Sequence, residues 1–272
     1  MQLTETIRWK DVPTQYIDPR HVDIWLPPEY HSQPEQSFPV LYMHDGQNLF
    51  YPEESFSGVD WGVVPAMQKA LLENSIRPAI IVGIWNTPKR FQELLPWKPI
   101  ANSIRGMKMY EKHKAEIGEV VSDGYLRFMV EELKPRIDEK FHTVPDAANT
   151  FVMGSSMGGL ISLYAICEYP HIFGGAGCLS THWPILKQTM INYLKKNMPD
   201  PASHKLYFDF GTDGLDAEYE IYQIRVDKTL QSAGFKEGHN WITHKFDGND
   251  HHERFWRKRV HLPLQFLLGS KI

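Results

Sequence analysis

The sequence contains few cysteines. Only Cys167 and Cys178 occur among its 272 residues, and their spacing does not fit a metal site of the C-x-x-C type. They could form one disulfide at most, and we expect two buried thiols instead. The sequence therefore gives no sign of a cysteine-based metal centre.

Long apolar runs and a strong net charge are also lacking. No run approaches the roughly 18–20 apolar residues that span a bilayer, and the first residues, MQLTETIRWK, show no charged-then-apolar signal pattern. The 29 basic and 33 acidic side chains give a net charge of −4, without the clustered Lys and Arg of a nucleic-acid surface. We expect no membrane span, no nucleic-acid partner and a cytoplasmic location, unless the chain is a processed secreted form.

The remaining composition is that of a globular protein. Hydrophobic residues make up 42% and charged residues 23% of the chain, enough apolar side chains to bury a substantial core. No repeat or low-complexity linker divides the sequence, so we expect one domain over residues 1–272. Short apolar runs predict strands over 21–26, 40–44, 79–85, 150–154, 175–180, 206–210 and 241–246. Apolar residues at helical spacing predict helices over 63–73, 125–141, 157–169, 184–196, 217–233 and 254–268.

This alternation of strands and helices predicts an α/β fold, with a mostly parallel central sheet flanked by helices on both faces. The first predicted strand is a candidate for antiparallel pairing at an edge. The connections at 86–123 and 181–203 are too long for simple crossovers. We expect them to be insertions that form a lid or part of a pocket.

The strongest local signal is FVMGSSMGGL, residues 151–160. It fits G-x-S-x-G in one register, with Gly154, Ser156 and Gly158, and it lies between a predicted strand and a predicted helix. Such a tight turn exposes the serine hydroxyl above the sheet and demands small residues on either side. The pattern therefore predicts Ser156 as a nucleophile, with the backbone N–H of Met157 placed to stabilise an oxyanion.

A serine nucleophile needs a general base, and the usual chain order is serine, acid, histidine. The loop FDGNDHHE follows the last predicted strand and offers His251, with His252 as the competitor. The acid should follow the strand before it, where Asp213 and Asp216 are both available. The loop length alone does not separate these two carboxylates.

A second oxyanion donor is expected after the strand that ends in HDGQ, residues 44–47. Gly46 would allow the backbone to approach the substrate closely, leaving the N–H of Gln47 as the donor. A plain Asp-Gly turn is the alternative interpretation.

Together these motifs resemble the Putative esterase family (esterase D / feruloyl esterase-like) of the α/β-hydrolases. Four segments carry the resemblance: FPVLYMHDGQNLF at 38–50, VGIWNTPKRFQELLP at 82–96, NTFVMGSSMGGLISLYAICEYPHIFGG at 149–175 and FDGNDHHERFW at 246–256. The resemblance extends from about Arg20 to Leu268 and implies the α/β-hydrolase fold.

The resemblance also favours particular residues among the alternatives. The family motif G-x-x-H with a tryptophan five residues on matches Gly248, His251 and Trp256, which favours His251 over His252. In the family, a Gln and an Arg-Val pair lie on the helix that follows the acid. Their position in this sequence favours Asp216 as the acid, with Asp213 as the alternative. The implied oxyanion donors are Gln47 and Met157.

Candidate substrate contacts are less specific. They lie in loops at strand ends or in the family segments, and comprise His44, Asp45, Trp61, Arg90, His182 and Trp183. For Arg90 we expect a structural ion pair with Glu93 rather than a contact with the substrate.

These residues predict a serine carboxylesterase that acts on a short-acyl, acetyl-sugar or feruloyl-type ester through an acyl-serine intermediate. The same triad would serve an acyltransferase with an alcohol or sugar acceptor. A catalytically silent binding protein is less consistent with an intact serine and histidine. The chemistry requires no metal and no cofactor. The expected partner is a small-molecule or sugar-linked ester substrate. The sequence does not indicate an oligomeric state.

Overall fold

The structure is a computed structural model that describes residues 6–269. Within that range the strands are β1 (Ile7–Val12), β2 (Arg20–Trp25), β3 (Val40–His44), β4 (Ile80–Ile84), β5 (Thr150–Ser155), β6 (Gly175–Leu179), β7 (Lys205–Gly211) and β8 (Trp241–Phe246). They form one sheet in the order β1-β2-β4-β3-β5-β6-β7-β8. The pairs β1–β2 and β2–β4 are antiparallel, and every other pair is parallel.

The helices of the described range cover both faces of this sheet. They are α1 (Glu29–Ser32), α2 (Val63–Leu72), α3 (Arg90–Leu94), α4 (Trp97–Ala101), α5 (Ile104–Ile117), α6 (Ser122–Arg127), α7 (Lys134–Lys140), α8 (Met157–Glu168), α9 (Gln188–Asn197), α10 (Glu220–Ser232), α11 (Glu253–Arg259) and α12 (His261–Leu268). One core packs the sheet against α3–α10 and the other packs it against α2, α11 and α12. The α/β fold predicted from the sequence is confirmed.

The central strands explain where a site can form. Every residue of β3, β4, β5 and β6 is buried, because helices exclude water from both faces of a parallel sheet. Since β3 and β5–β8 all run in one direction, the loops that follow them meet at a single edge of the sheet. Binding sites of α/β proteins lie at this carboxyl edge.

The sequence analysis did not predict β1. Its sequence IRWKDV contains three charged residues, and most of the strand is exposed or half-buried at the sheet edge. A bidentate ion pair holds it to β2, in which Arg8 Nε lies 2.7 Å and Arg8 Nη2 2.9 Å from the two oxygens of Asp23.

Three predicted helices differ from the observed ones. The helix expected over 184–196 begins only at Gln188. The helix expected over 125–141 begins at Ser122 and contains a π-helical segment, Phe128–Leu133, between α6 and α7. The helix expected over 254–268 is divided into α11 and α12. Pro263 lies in the first turn of α12, and since it lacks an N–H it cannot bond the carbonyl four residues earlier.

The two long connections are largely helical. Residues 86–123 contain α3, α4 and α5, and residues 181–203 contain α9. A buried ion pair joins α3 to β2, with Arg20 Nη2 2.7 Å from Glu93 Oε1 and both side chains almost fully enclosed. Whether these insertions act as a lid stays a prediction.

Cys167 and Cys178 are free and buried, which confirms the expectation of two buried thiols. Burial raises the pKa of the Cys167 thiol well above its usual range. No helix in residues 6–269 combines the length and the apolar character needed to cross a membrane.

Candidate active site

The turn between β5 and α8 holds Ser156 in a strained backbone conformation. Its φ is 58° and its ψ −120°, a region that residues other than glycine rarely enter. The turn is also too tight for a side chain at Gly154, where a Cβ atom would lie 2.7 Å from the carbonyl carbon of Gly158. These are the features of a nucleophile elbow.

Hydrogen bonds from the neighbouring strand hold the elbow in place. The N–H of Ser156 donates to the carbonyl of Leu179 at the end of β6 (2.9 Å), and the N–H of His182 donates to the carbonyl of Ser156 (3.1 Å). Met157 is the first residue of α8, so its N–H belongs to the helix turn whose donors have no helical partner. The positive end of the helix dipole points in the same direction.

His251 and Asp216 form a direct pair at the same edge of the sheet. His251 Nδ1 lies 2.6 Å from Asp216 Oδ1, and Asp216 Oδ2 accepts hydrogen bonds from the Ser180 hydroxyl (2.6 Å) and the Gly211 N–H (2.8 Å). Burial alone would raise the pKa of the Asp216 carboxyl. The hydrogen bonds from His251, Ser180 and Gly211 outweigh burial and hold this pKa below its usual value.

The competing residues make other contacts. Asp213 is exposed and accepts a hydrogen bond from the Thr212 hydroxyl at 3.0 Å. His252 caps α11, where its Nδ1 accepts from the N–H of Arg254 at 3.2 Å. The structure therefore pairs His251 with Asp216 rather than His252 with Asp213.

Aromatic rings position the imidazole of His251. Its ring centroid lies 5.0 Å from that of Trp256 and 5.8 Å from that of Tyr219, both in edge-on geometry. The Tyr219 hydroxyl lies 2.7 Å from His182 Nδ1, and the His182 N–H binds the carbonyl of Ser156. This chain of contacts joins the elbow to the histidine–carboxylate pair.

Ser180 is a supporting residue that the sequence analysis missed. Besides donating to Asp216, its hydroxyl accepts from Trp256 Nε1 (3.0 Å) and Arg259 Nη2 (2.8 Å). Arg259 also binds Asp209 Oδ1 at 3.0 Å inside the core. No local motif marks this network, because it joins residues that lie far apart in the sequence.

Ser180→Ala is expected to lower both stability and turnover. The substitution removes a hydrogen bond from Asp216 and leaves two buried donors short of a partner, which costs about 1–3 kcal/mol of unfolding free energy. Urea denaturation would measure this loss. Since a misplaced catalytic group costs up to about 10²-fold, kcat should fall by about tenfold or more while KM changes little.

Ser180→Gly provides the matched control. Ser180 has a φ of 39°, so glycine relaxes the backbone while removing the same hydroxyl. Similar losses of kcat in the two variants would assign the effect to the hydroxyl. Full activity in Ser180→Gly would contradict its role in positioning Asp216.

The loop after β3 forms one tight helical turn, Gly46–Asn48. A Cβ atom on Gly46 would lie 2.5 Å from the carbonyl carbon of Gly83, so this glycine is required for packing against β4. Close approach to a substrate, the reason expected from the sequence, stays a prediction. The Gln47 side chain accepts a hydrogen bond from the N–H of Asn86 at 3.2 Å, which fixes this turn against the first insertion.

Arg90 pairs with Asp45 and not with Glu93, so the expected ion pair was wrong. Arg90 Nε and Nη2 lie 2.6 and 2.7 Å from the two oxygens of Asp45, while Glu93 is already paired with Arg20. Asn86 Nδ2 also donates to Asp45 Oδ1, at 2.6 Å. Arg90 thereby links α3 to the loop that carries Gln47.

His44 and His182 are both held neutral by their surroundings. Burial lowers the pKa of His44 to about 4, and its Nδ1 lies 2.7 Å from the Tyr125 hydroxyl. Burial and the nearby charges of His251 and Arg90 lower the pKa of His182 to about 4. His44 is enclosed beside the elbow, whereas His182 is only partly buried and remains a candidate substrate contact.

Trp61 and Trp183 do not line a pocket, contrary to the expectation from their place after strand ends. Each side chain is about 1% exposed. Trp61 packs against Trp256 with ring centroids 5.5 Å apart, and Trp183 donates from Nε1 to Gln223 at 3.1 Å. Both residues belong to the cores that support the site. Among residues 6–269, no group of three or more His, Cys, Asp or Glu side chains is placed to hold a metal ion.

The chain is similar to known proteins in sequence and in fold. A family model described as "Putative esterase" matches residues 15–263. The uncharacterized protein YbbA of Bacillus subtilis (strain 168) is 24% identical over 265 residues, covering 92% of this chain and 93% of that protein. The ferri-bacillibactin esterase BesA of the same strain is 29% identical over 175 residues, covering 60% of this chain and 57% of that protein. A solved ferulic acid esterase has a TM-score of 0.69 at 16% identity, over 97% of this chain and 98% of that chain.

The mostly parallel sheet and the solved structure that it resembles define an α/β-hydrolase fold. Because the family model covers most of the sequence, the chain belongs to the Putative esterase family and is a carboxylic ester hydrolase.

Proposed function

We propose that the protein hydrolyses its ester through an acyl-serine intermediate, with Ser156 as the nucleophile. The observation that carries the proposal is the strained φ of 58° at Ser156, at the entrance to α8. Backbone strain of this kind persists where the surrounding structure requires it, which is often at an active site. The paired His251 and Asp216 at the same edge of the sheet support this assignment.

Each step has a residue with matching chemistry. Ser156 Oγ attacks the ester carbonyl as His251 Nε2 takes its proton, and Asp216 holds the proton on Nδ1 and stabilises the imidazolium. The N–H groups of Gln47 and Met157 stabilise the oxyanion of the tetrahedral intermediate. His251 then gives its proton to the leaving alcohol and activates a water that releases the acid and regenerates Ser156.

We further propose that one catalytic domain acts on a small-molecule or sugar-linked ester. The names of two similar proteins point to esters of ferulic acid and to ferri-bacillibactin. Short-acyl and acetyl-sugar esters fit the same chemistry. The mechanism acts on the ester carbonyl and does not depend on the rest of the acyl or alcohol group.

Rapid mixing with p-nitrophenyl acetate would test the acyl-serine step. We expect a burst of nitrophenol that approaches one equivalent per enzyme, followed by slower steady release, because the acyl-enzyme accumulates. Mass spectrometry after an acid quench should find one acetyl group on the peptide that contains Ser156. An acetyl group on another residue, or no covalent intermediate with fast turnover, would contradict the proposal.

Added alcohol would separate hydrolysis from acyl transfer. With glycerol or xylose present, a hydrolase should still release acetate in proportion to nitrophenol. Formation of acetylated glycerol or xylose as the main product would show a transferase that uses the same triad.

A further inference from the structure

A cleft of about 750 Å³ lies between the two insertions of the fold. One wall is formed by α5 together with Phe91 of α3, and the other by residues 184–187 and Thr189. The walls include partly exposed apolar side chains such as Phe91, Met109 and Ile185. The cleft therefore offers an apolar surface to a bound molecule.

Cations dominate the charge of the cleft. Arg105, Lys108 and Lys112 line it from α5 and Lys187 lines it from the opposite wall. The spacing of three and four residues places the first three on one face of the helix. Glu116 is the carboxylate of the lining, and it lies 3.3 Å from His113 Nδ1.

These four cations lack protein partners. Within residues 6–269 none of their side chains takes part in an ion pair or a hydrogen bond, so their charges are free to meet a ligand. The cluster also opposes the overall charge of the protein, which is −4. A field of one sign in a cleft concentrates ligands of the opposite charge.

Lys187 adds an independent observation. Its φ is 47° and its ψ −129°, a conformation that glycine adopts readily and other residues adopt at a cost. A lysine is nevertheless present at this strained position, and its exposed side chain lines the cleft.

The segments that line the cleft lead along the chain to residues of the candidate active site. Phe91 directly follows Arg90, whose ion pair with Asp45 braces the loop of Gln47. Pro184 lies two residues after His182, whose N–H binds the carbonyl of Ser156. Both walls of the cleft are therefore continuous in sequence with segments that contact the candidate active site.

We propose that this cleft selects an anionic ester, whose apolar body lies along Phe91 and Ile185 and whose carboxylate, sulfonate or phosphate group meets the four cations. The proposal rests on the proposed function, because it names the substrate class of that same site. Arg105, Lys108, Lys112 and Lys187 are its specificity-determining residues.

Matched pairs of esters that differ only in charge would test it. One pair is naphthyl acetate and its ring-sulfonated derivative, and the other is p-nitrophenyl pentanoate and the p-nitrophenyl monoester of glutaric acid. We expect kcat/KM to be higher for the anionic member of at least one pair at low salt. This preference should shrink as salt screens the charges.

Variants of the cleft should reduce the preference without reducing turnover of the neutral ester. Lys187→Gly should lower the ratio of anionic to neutral kcat/KM by about two- to fivefold, the range of an exposed charge pair, and should also raise the thermal midpoint because it relieves strain. The triple variant R105Q/K108Q/K112Q keeps good helix formers and should lower the ratio on the order of tenfold. Lys140→Gln, an exposed cation at the end of α7, should leave the ratio unchanged.

The outcomes separate this proposal from the proposed function. Equal turnover of both members of each pair, insensitive to salt and to the cleft variants, would overturn the cleft assignment while leaving the esterase mechanism intact. Absence of turnover with any ester would instead contradict the mechanism. In that case, calorimetric titration of naphthalene sulfonate into the wild type and the triple variant still tests the cleft, since equal affinities or no binding would refute it.

Discussion

Ser156→Ala is expected to lower kcat/KM for p-nitrophenyl acetate by about 10⁴-fold or more, because loss of a triad nucleophile has effects of this size. The variant should also lose labelling by a fluorophosphonate probe, since no acyl or phosphonyl adduct can form. Far-ultraviolet circular dichroism and the thermal midpoint should change little, because alanine keeps the same backbone at this position. Steady-state assays and a labelled gel would measure both effects.

Two further variants serve as comparisons for Ser156→Ala. Ser155→Ala changes the preceding serine, which is buried as the last residue of β5, and it should retain labelling and turnover. Ser156→Gly should be as inactive as Ser156→Ala but more stable, by about 1 kcal/mol, since glycine relieves the positive φ. Persistent labelling of Ser156→Ala would refute the assignment of the nucleophile.

The strength of the local pattern determined how much of the fold could be predicted. The bounds of β3 and β8 were predicted correctly. For β3 an apolar run enclosed by turn residues marks a buried strand, whereas β8, WITHKF, is mostly half-buried. The edge strand β1 was missed because IRWKDV has no apolar run and is held by pairing to β2 and by Arg8. The break between α11 and α12 was indicated by Pro263, a local signal that the apolar spacing of the segment concealed.

For the candidate site too, residues within one local motif could be predicted, whereas contacts made only by packing could not. Ser156 and Met157 lie within one motif, whose turn geometry is encoded by its own glycines. The partner of Arg90 could not be predicted, because Asp45 is brought to it only by the packing of α3 against the loop after β3. Trp61 and Trp183 show a related difficulty, since a position after a strand end does not determine whether a side chain faces a pocket or the core.

Asp216→Asn is expected to lower kcat by about 10⁴-fold while leaving the fold intact. The structure gives a specific reason. The Gly211 N–H donates to Oδ2 of Asp216, so asparagine should place its carbonyl oxygen there and its NH2 group toward His251 Nδ1. His251 would then carry its proton on Nε2 and could not accept the proton of Ser156. Steady-state kinetics with p-nitrophenyl acetate would measure the loss.

The pH dependence of stability gives a second measure of the same carboxylate. Its pKa is lowered in the folded state from a usual value of 3.8, so the charged form contributes stability above that pH. This contribution is lost as the pH falls through the folded-state pKa. In urea denaturation, the excess stability of the wild type over Asp216→Asn should therefore shrink below about pH 3.8.

Asp213→Asn is the matched control, because Asp213 carries the same side chain in the same loop but is exposed and bonded to Thr212. Its kcat should remain within about twofold of the wild type, as for most surface substitutions away from a site. If Asp213→Asn lost activity while Asp216→Asn kept it, the acid would be Asp213 and the loop would have to rearrange during turnover. If both variants were active, His251 would act without a carboxylate, and the lowered pKa of Asp216 would reflect its hydrogen bonds alone.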